Sequence, residues 1–242
     1  MICFEIILIS ADVVTSSMRI SIQHLLSGAA RARGICVLID VFRSSNTMLA
    51  MFGSGVKKII QVKEVEEALA LKKKNPGWLL FGERDGTAPP GFDFGNSPVE
   101  AERVDLKGKT AILCTSAGSA GIWAMKDATK IFIASFANAG AVIKHFKQYA
   151  GQDVEVTMVA IGIEGNLRAP EDELCTEYLK AGLEGRQSDL EVIRNVILAG
   201  PTARRLRERG QEDDLEFCLR SDIYGFLPRI YKENGLLTVR KQ

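Results

Sequence analysis

The stretch Ile35-Cys36-Val37-Leu38-Ile39-Asp40-Val41-Phe42-Arg43-Ser44-Ser45-Asn46-Thr47 decides the fold class. Five consecutive apolar residues read as a strand buried on both faces, the pattern of a parallel sheet. The run stops at an acid, an arginine follows, and small polar residues open a helix predicted over Ser45–Phe52, closed by Gly53 and Gly55. This sets a carboxylate at a strand's carboxyl end beside hydroxyls and N–H groups at a helix's amino end. Such a place suits a metal ion and an anion held side by side.

The same unit recurs on either side. Lys57–Val62, Trp78–Phe81, Ala111–Cys114, Ile131–Ala134 and Val154–Ile161 read as further strands. Helices are predicted over Glu64–Lys74, over Ala117–Met125 and after Asn138, while Thr87–Pro98 reads as a long ordered loop. Beyond Pro170 the chain reads as largely helical, with a final strand at Leu236–Val239. At the start, Met1–Ile9 reads as a first strand and Ala11–Ala30 as loop plus helix, stopped by Arg31, Arg33 and Gly34. Alternating strands and helices predict an α/β fold: three layers, αβα, around a mostly parallel or mixed sheet. At 242 residues the chain makes one large domain, or two lobes sharing a core.

Composition narrows the function. With 46% hydrophobic and 25% charged residues the balance is that of an ordinary soluble globular protein. A net charge of +1 supplies no global field for nucleic acid or a membrane surface. The five cysteines are widely spaced without a C-x-x-C pair, so neither a zinc cluster nor a disulfide frame is indicated. Met1–Ile9 is short, lacks a basic start and contains Glu5, which argues against a signal or a span and makes a cytoplasmic location the expectation.

Ligands of an open parallel sheet bind beyond the carboxyl ends of its strands. Here those ends present Asp40, Glu83, Thr115 with Ser116, Ser135, and Glu164. Acids from separate strands with hydroxyl-rich helix starts suggest Mg²⁺ with a phosphorylated ligand, since magnesium takes one or two carboxylates and fills its shell with water and phosphate oxygens. Plainer readings stand beside this one. Asp40 also suits a turn, Thr115–Ser119 an ordinary N-cap, and Glu171-Asp172-Glu173 behind Pro170 a helix start. His24 and His145 are the only histidines, and His145 stands off the face of Val142, Ile143 and Phe146, so it is expected to be exposed and no Ser-His-Asp triad is indicated. There is no P-loop and no G-x-G-x-x-G after a strand, which disfavours a nucleotide-binding module. Phe42 stands where an aspartyl-phosphate enzyme of the haloacid dehalogenase kind has its second acid.

Six stretches carry a more specific signal. They are residues 40–47, Gly82-Glu83-Arg84, Pro90-Gly91-Phe92-Asp93-Phe94-Gly95-Asn96-Ser97-Pro98, Ser135-Phe136-Ala137-Asn138-Ala139, Glu171-Asp172-Glu173-Leu174-Cys175, and the spaced Asp214, Cys218, Asp222 and Pro228. In this order they resemble the 2-phosphosulfolactate phosphatase family. The resemblance implies hydrolysis of the phosphate ester of 2-phospho-3-sulfolactate with Mg²⁺, in coenzyme M biosynthesis. It also implies a three-layer fold of two similar halves, here with a boundary near residues 125–135. It moves Glu171 and Asp172 from helix caps to site residues.

With that resemblance, Asp40, Arg43 and Glu83 become the expected catalytic residues, Glu83 as base for the attacking water, with direct attack by Asp40 as the rival route. Asp40, Glu171 and Asp172 are the expected metal ligands. Ser44, Ser45, Thr47, Arg84, Asn96, Ser97, Thr115, Ser116, Gly118, Ser119 and Asn138 are the expected substrate contacts. Arg43, Arg84 and Arg168 are expected to meet the ligand's negative charges, and the N–H groups of residues 44–47 or 116–119 to cradle phosphate.

Departures are visible too. Asn46 stands where the family usually has a hydroxyl residue and Ser44 where it usually has alanine. Thr115-Ser116-Ala117-Gly118-Ser119 replaces Thr-Thr-Asn-Gly-Thr, and Thr176-Glu177 replaces Ala-Gly. A non-catalytic or re-specified relative binding a phosphorylated or sulfonated metabolite is therefore the alternative. A homodimer is expected only from the frequency of symmetric pairs.

Overall fold

The computed structural model describes residues 18–242, and the strand expected at Met1–Ile9 lies outside the described residues. The chain opens with β1 (Arg19–His24), α1 (Leu25–Ala29), β2 (Gly34–Ile39) and α2 (Ser44–Gly53). There follow β3 (Lys58–Gln61), α3 (Val65–Lys74), β4 (Leu79–Gly82), α4 (Pro98–Arg103), β5 (Thr110–Cys114) and α5 (Ala117–Ala124). Next come β6 (Ala128–Ala134), a 3₁₀ turn, α6 (Ala139–Lys147), β7 (Glu155–Ala160) and α7 (Pro170–Leu183). The tail holds α8 (Leu190–Leu198), α9 (Pro201–Glu208), α10 (Glu212–Cys218), β8 (Pro228–Glu233) and β9 (Leu236–Lys241).

These strands form one sheet in the order β1-β7-β2-β6-β8-β9-β3-β5-β4. One parallel block is β1-β7-β2-β6 and another is β3-β5-β4, joined by the antiparallel β8–β9 hairpin. The hairpin also pairs antiparallel with β6 on one side and β3 on the other, so the blocks run in opposite senses. One block is built from β1, β2, β6 and β7, and the other, β3 to β5, is contiguous in the chain between β2 and β6.

Alternation along each strand fills three layers. Cys36 and Leu38 of β2, Ile59 of β3 and Leu113 of β5 share a cluster with Met48 and Met51 of α2 and Ile122 of α5. On the opposite face, Val37 and Ile39 pack with Val142 and Phe146 of α6 and Leu179 of α7, while Ile60, Leu80 and Ile112 pack with Ala68 of α3. Every residue of α2 from Ser44 to Phe52 is buried. A helix covered all round belongs inside a fold. Five strand spacings separate β2 from β5, about 24 Å in a flat sheet, yet the Ser44 and Thr115 hydroxyls behind those strands lie 3.4 Å apart. The sheet therefore curls around α2 and α5, and brings the carboxyl ends of both blocks to one rim.

Four sequence expectations change. The stretch read as loop plus helix over Ala11–Ala30 holds β1 from Arg19, whose Ile20 and Ile22 alternate with polar neighbours at strand period. The long loop before Pro98 passes into α4, capped by the Ser97 hydroxyl accepting from the Glu100 N–H at 3.0 Å, with proline in its first turn. A second unforeseen strand, β8, pairs with β9 through Asn234-Gly235, both at positive φ (50° and 81°), the pattern of a type I′ turn. His145 is half-buried rather than exposed, set against Phe132, Phe146 and Tyr149. Cys36, Cys114, Cys175 and Cys218 are free and buried. Among the described residues no helix is long and apolar enough to cross a membrane.

Nothing lies within 4 Å of a Cβ placed on Gly235, so its substitution costs backbone strain alone. Gly235→Ala is expected to destabilise the protein by about 1–2 kcal/mol, read as a lowered urea midpoint with an unchanged denaturant slope.

Candidate active site

Four buried acids converge on one cleft at the rim of the sheet. Asp40 follows β2, Glu83 follows β4, and Glu171 and Asp172 open α7. None is more than 9% exposed. Burial of like charges in one place raises the cost of ionisation, and the structure answers it with local donors.

Asp40 acts as a cap for α2. Its Oδ1 accepts from the Ser44 N–H at 3.2 Å, its carbonyl accepts from Ser45 N–H, and its own N–H donates to the Ser45 hydroxyl. Among the described residues Oδ2 has no hydrogen-bond partner. Gly118 on α5 comes close to that oxygen: a Cβ there would sit 2.9 Å from Oδ2 and collide with the Ser44 hydroxyl. Only glycine lets α5 approach so closely. Burial, followed by repulsion from Glu83 and Glu171, pushes the Asp40 carboxyl up to about 7, against the Ser44 N–H and Arg43.

Asp172 is a staple. Its two oxygens accept from the N–H groups of Val41 and Gly162, each at 2.8 Å, tying the end of β2 to the turn after β7. Burial raises this carboxyl well above its ordinary range, with Asp40 and Glu171 adding to the effect. Glu171 is likewise pushed to about 7 by burial, its own N–H and Thr202 opposing. Helix-dipole logic alone would leave these acids in solvent, as it leaves Glu173, which pairs with Arg168 and His24 outside the cleft. Glu83 is held by three donors: Ser116 N–H on Oε1, and Gly86 N–H and the Ser116 hydroxyl on Oε2.

Of the expected residues, Asp40, Arg43, Glu83, Asn96, Thr115, Ser116, Glu171 and Asp172 line the cleft. Arg43 is buried against Asp214 at 2.6 Å and reaches the Gly86 carbonyl at 3.3 Å, so much of its charge is already answered. The Asn96 Oδ1 is buried without a partner at this cleft.

Other expected residues serve the frame. Ser45 and Thr47 bond back into the β2–α2 connection. The N–H groups of Ser44, Ser45 and Thr47 are taken by Asp40 and Arg43, and those of Ser116 and Ser119 by Glu83 and Thr115. Among the described residues this leaves the Asn46 amide in the first stretch, and the Ala117 and Gly118 amides at the amino end of α5, without a partner. Ser97 donates to Asp214, Ser119 to Gln61, and Asn138 closes a capping box with Ser135. Arg84 turns back to the Lys63 carbonyl and Cys114, and Arg168 stays with Glu173 and His24, so neither expected anion contact reaches the cleft. Cations come instead from α9, where Arg205 and Arg209 line the cleft with Thr202 and Leu206. Their i, i+3, i+4, i+7 spacing was readable in the sequence, but only contact with the acid rim gives it meaning.

The donor set suits a hard divalent cation: several buried carboxylates crowd one cleft, and their mutual repulsion is relieved by a positive ion. Among the described residues no three acid, histidine or cysteine side chains form a ready closed cluster. Magnesium asks for only one or two carboxylates, with water and phosphate oxygens completing its shell.

Residues 20–233 match the family described as 2-phosphosulpholactate phosphatase. Two relatives carry the name probable 2-phosphosulfolactate phosphatase. One, from Thermotoga petrophila, is 30% identical over 217 residues, covering 85% of this chain and 92% of that protein. Another, from Thermoplasma acidophilum, is 33% identical over 202 residues, covering 80% and 84%.

The raised carboxyls predict a pH effect on the cation-free protein. Asp40 titrates at 3.8 ordinarily and at about 7 when folded. Below about pH 4 both states hold the proton, and from there to about 7 only the folded state keeps it, so stability declines as pH rises through that window. Melting temperature measured from pH 4 to 8 is expected to fall for the wild type relative to Asp40→Asn, by roughly 2–4 °C per kcal/mol lost. Excess Mg²⁺ is expected to raise it more at pH 8 than at pH 5.

Proposed function

This chain belongs to the 2-phosphosulpholactate phosphatase family, and from that premise we propose that it hydrolyses the phosphate ester of a small multiply charged acid, 2-phospho-3-sulfolactate, with Mg²⁺. The observation that carries this reading is the convergence of Asp40, Glu83, Glu171 and Asp172 on one cleft beside the free amides of α5. Protein acids alone would repel a phosphate ester, so the reading requires a cation between them. Of the three expected ligands, Glu171 and Asp172 are the residues that would hold Mg²⁺, and it would withdraw charge from the phosphoryl oxygens when bound.

One or two carboxylates suffice for the ion. We therefore assign the third, Asp40, to proton transfer. Its Oδ2 is unpartnered, and a carboxyl near 7 is well matched to taking a proton from water at neutral pH. Glu83 has both oxygens committed to Ser116 and Gly86, so we give it a positioning role: it fixes Ser116 and the start of α5. This revises the expectation that Glu83 is the base. The unpaired amides of Ala117 and Gly118 take the phosphoryl oxygens, as a helix amino end favours an anion. Asp214 holds Arg43 flat against the cleft wall, where the guanidinium faces the ester. The wider setting follows from the family reading: a coenzyme M precursor as substrate, and a cytoplasmic enzyme.

Release of inorganic phosphate from 2-phospho-3-sulfolactate tests this directly. Wild-type enzyme is expected to turn over with Mg²⁺, to stop on chelation and to recover on readdition. Asp40→Asn is expected to lose about 10²–10⁴-fold in kcat. The limb of kcat/KM that rises through about pH 7 should vanish with it and persist in Glu83→Gln. The reverse pattern returns the base role to Glu83.

A further inference from the structure

The cleft is polarised. Its buried acids come from the ends of β2 and β4 and from the start of α7, exposed Asp85 and Glu164 also line it, and Arg205 and Arg209 add cations from α9 and its end. Thr202, Arg205, Leu206 and Arg209 form one stripe toward the cleft. Arg207 lies off that stripe and donates to the Leu198 carbonyl at 2.9 Å.

The two cleft arginines are poorly answered by protein acids. Arg205 meets Glu164 only at 3.7 Å, and among the described residues the guanidinium of exposed Arg209 has no hydrogen-bond or ion-pair partner. Compare Arg43, whose carboxylate partner is at 2.6 Å. Arg209 is nevertheless placed. It passes over Gly86, which sits at φ +78°, and a Cβ on that residue would collide with the guanidinium. The same Gly86 donates its N–H to Glu83 and offers its carbonyl to Arg43. One glycine thus bonds to Glu83 and Arg43 and leaves the room that the Arg209 guanidinium occupies.

We propose that Arg205 and Arg209 form a second anion subsite, which takes the sulfonate of a phosphate ester whose phosphoryl group lies at the acid end of the same cleft. This rests on the reading under Proposed function and deepens it: discrimination for a sulfonated ester resides on α9, apart from the residues that act on phosphorus. A planar guanidinium pair offers several N–H donors to the three oxygens of a monoanionic sulfonate.

The test compares phosphate release from 2-phospho-3-sulfolactate and from 2-phospholactate, which has a methyl group in place of the sulfonate-bearing carbon. For Arg205→Ala and Arg209→Ala the ratio of kcat/KM between the two esters is expected to fall on the order of ten- to a hundredfold, through KM more than kcat. Arg209→Lys is expected to restore part of it. Equal losses on both esters, or none, overturn the proposal. If wild-type enzyme frees phosphate from neither ester, the phosphatase reading fails, and calorimetric titration with 3-sulfolactate then decides the subsite separately. Binding by wild type that is lost in both variants upholds it. No binding by wild type, or equal binding by the variants, overturns it.

Discussion

Like charges gathered out of water govern this site. Asp40, Glu83, Glu171 and Asp172 share one cleft, each almost wholly buried. Taking carboxylates from solvent is costly unless each is met by donors, protons or a counter-ion. Backbone N–H groups of Val41, Ser44, Gly86, Ser116 and Gly162 meet part of the demand. The nearest buried cation, on Arg43, is already paired with Asp214. What remains is a deficit of positive charge at a place where the Asp40 Oδ2 is free. The apo protein answers with protons, as the raised Asp40 and Glu171 carboxyls record. Under the proposed function a bound Mg²⁺ would meet the same demand, in competition with those protons.

Much of the architecture follows from holding those acids close. The left-handed turn at Gly162 aims its N–H at Asp172, and a Cβ there would run into the Leu167 carbonyl. Gly118 removes the side chain that would separate α5 from Asp40. The curled sheet brings together the ends of two parallel blocks that run in opposite senses, which no flat arrangement could do. In this fold the rule that ligands sit at strand carboxyl ends holds, with two sets of ends supplying one cleft.

The strand-helix rhythm was legible because buried parallel strands write uninterrupted apolar runs, as in Ile35–Ile39. The β1 strand was not: its alternation of Arg19, Ile20, Ser21 and Ile22 is that of a half-exposed edge, which reads as polar chain. Nor was β8, where Pro228 and Arg229 conceal a strand held by its hairpin partner. Among site residues, those at strand ends were legible from position alone. Arg84 and Arg168 were misplaced because sequence proximity to a motif does not tell which way a long side chain turns. Arg205 and Arg209 escaped notice because a helical stripe with two arginines reads as a solvated face until its neighbours are known.

The departures from the family pattern can now be sorted by what each side chain touches. Asn46 donates from Nδ2 to both the Val41 carbonyl and the Ser135 hydroxyl at 2.9 Å, bracing the end of β2 against that of β6. A single hydroxyl proton cannot serve both acceptors at once. The Thr176 hydroxyl folds back on the Asp172 carbonyl one turn earlier in α7. Both changes lie behind the acids and alter how they are supported. Ser44 is buried with its hydroxyl toward Thr115 and Gly118, again inside the frame. Ala117 is different. It lines the cleft at the head of α5, where the family usually carries asparagine. Of these exchanges it is the one that removes a polar side chain from the surface facing the ligand, and it leaves backbone amides to do that work. Under the proposed function, a change of substrate relative to the family would therefore centre on the amino end of α5 and on the group of the ester nearest to it.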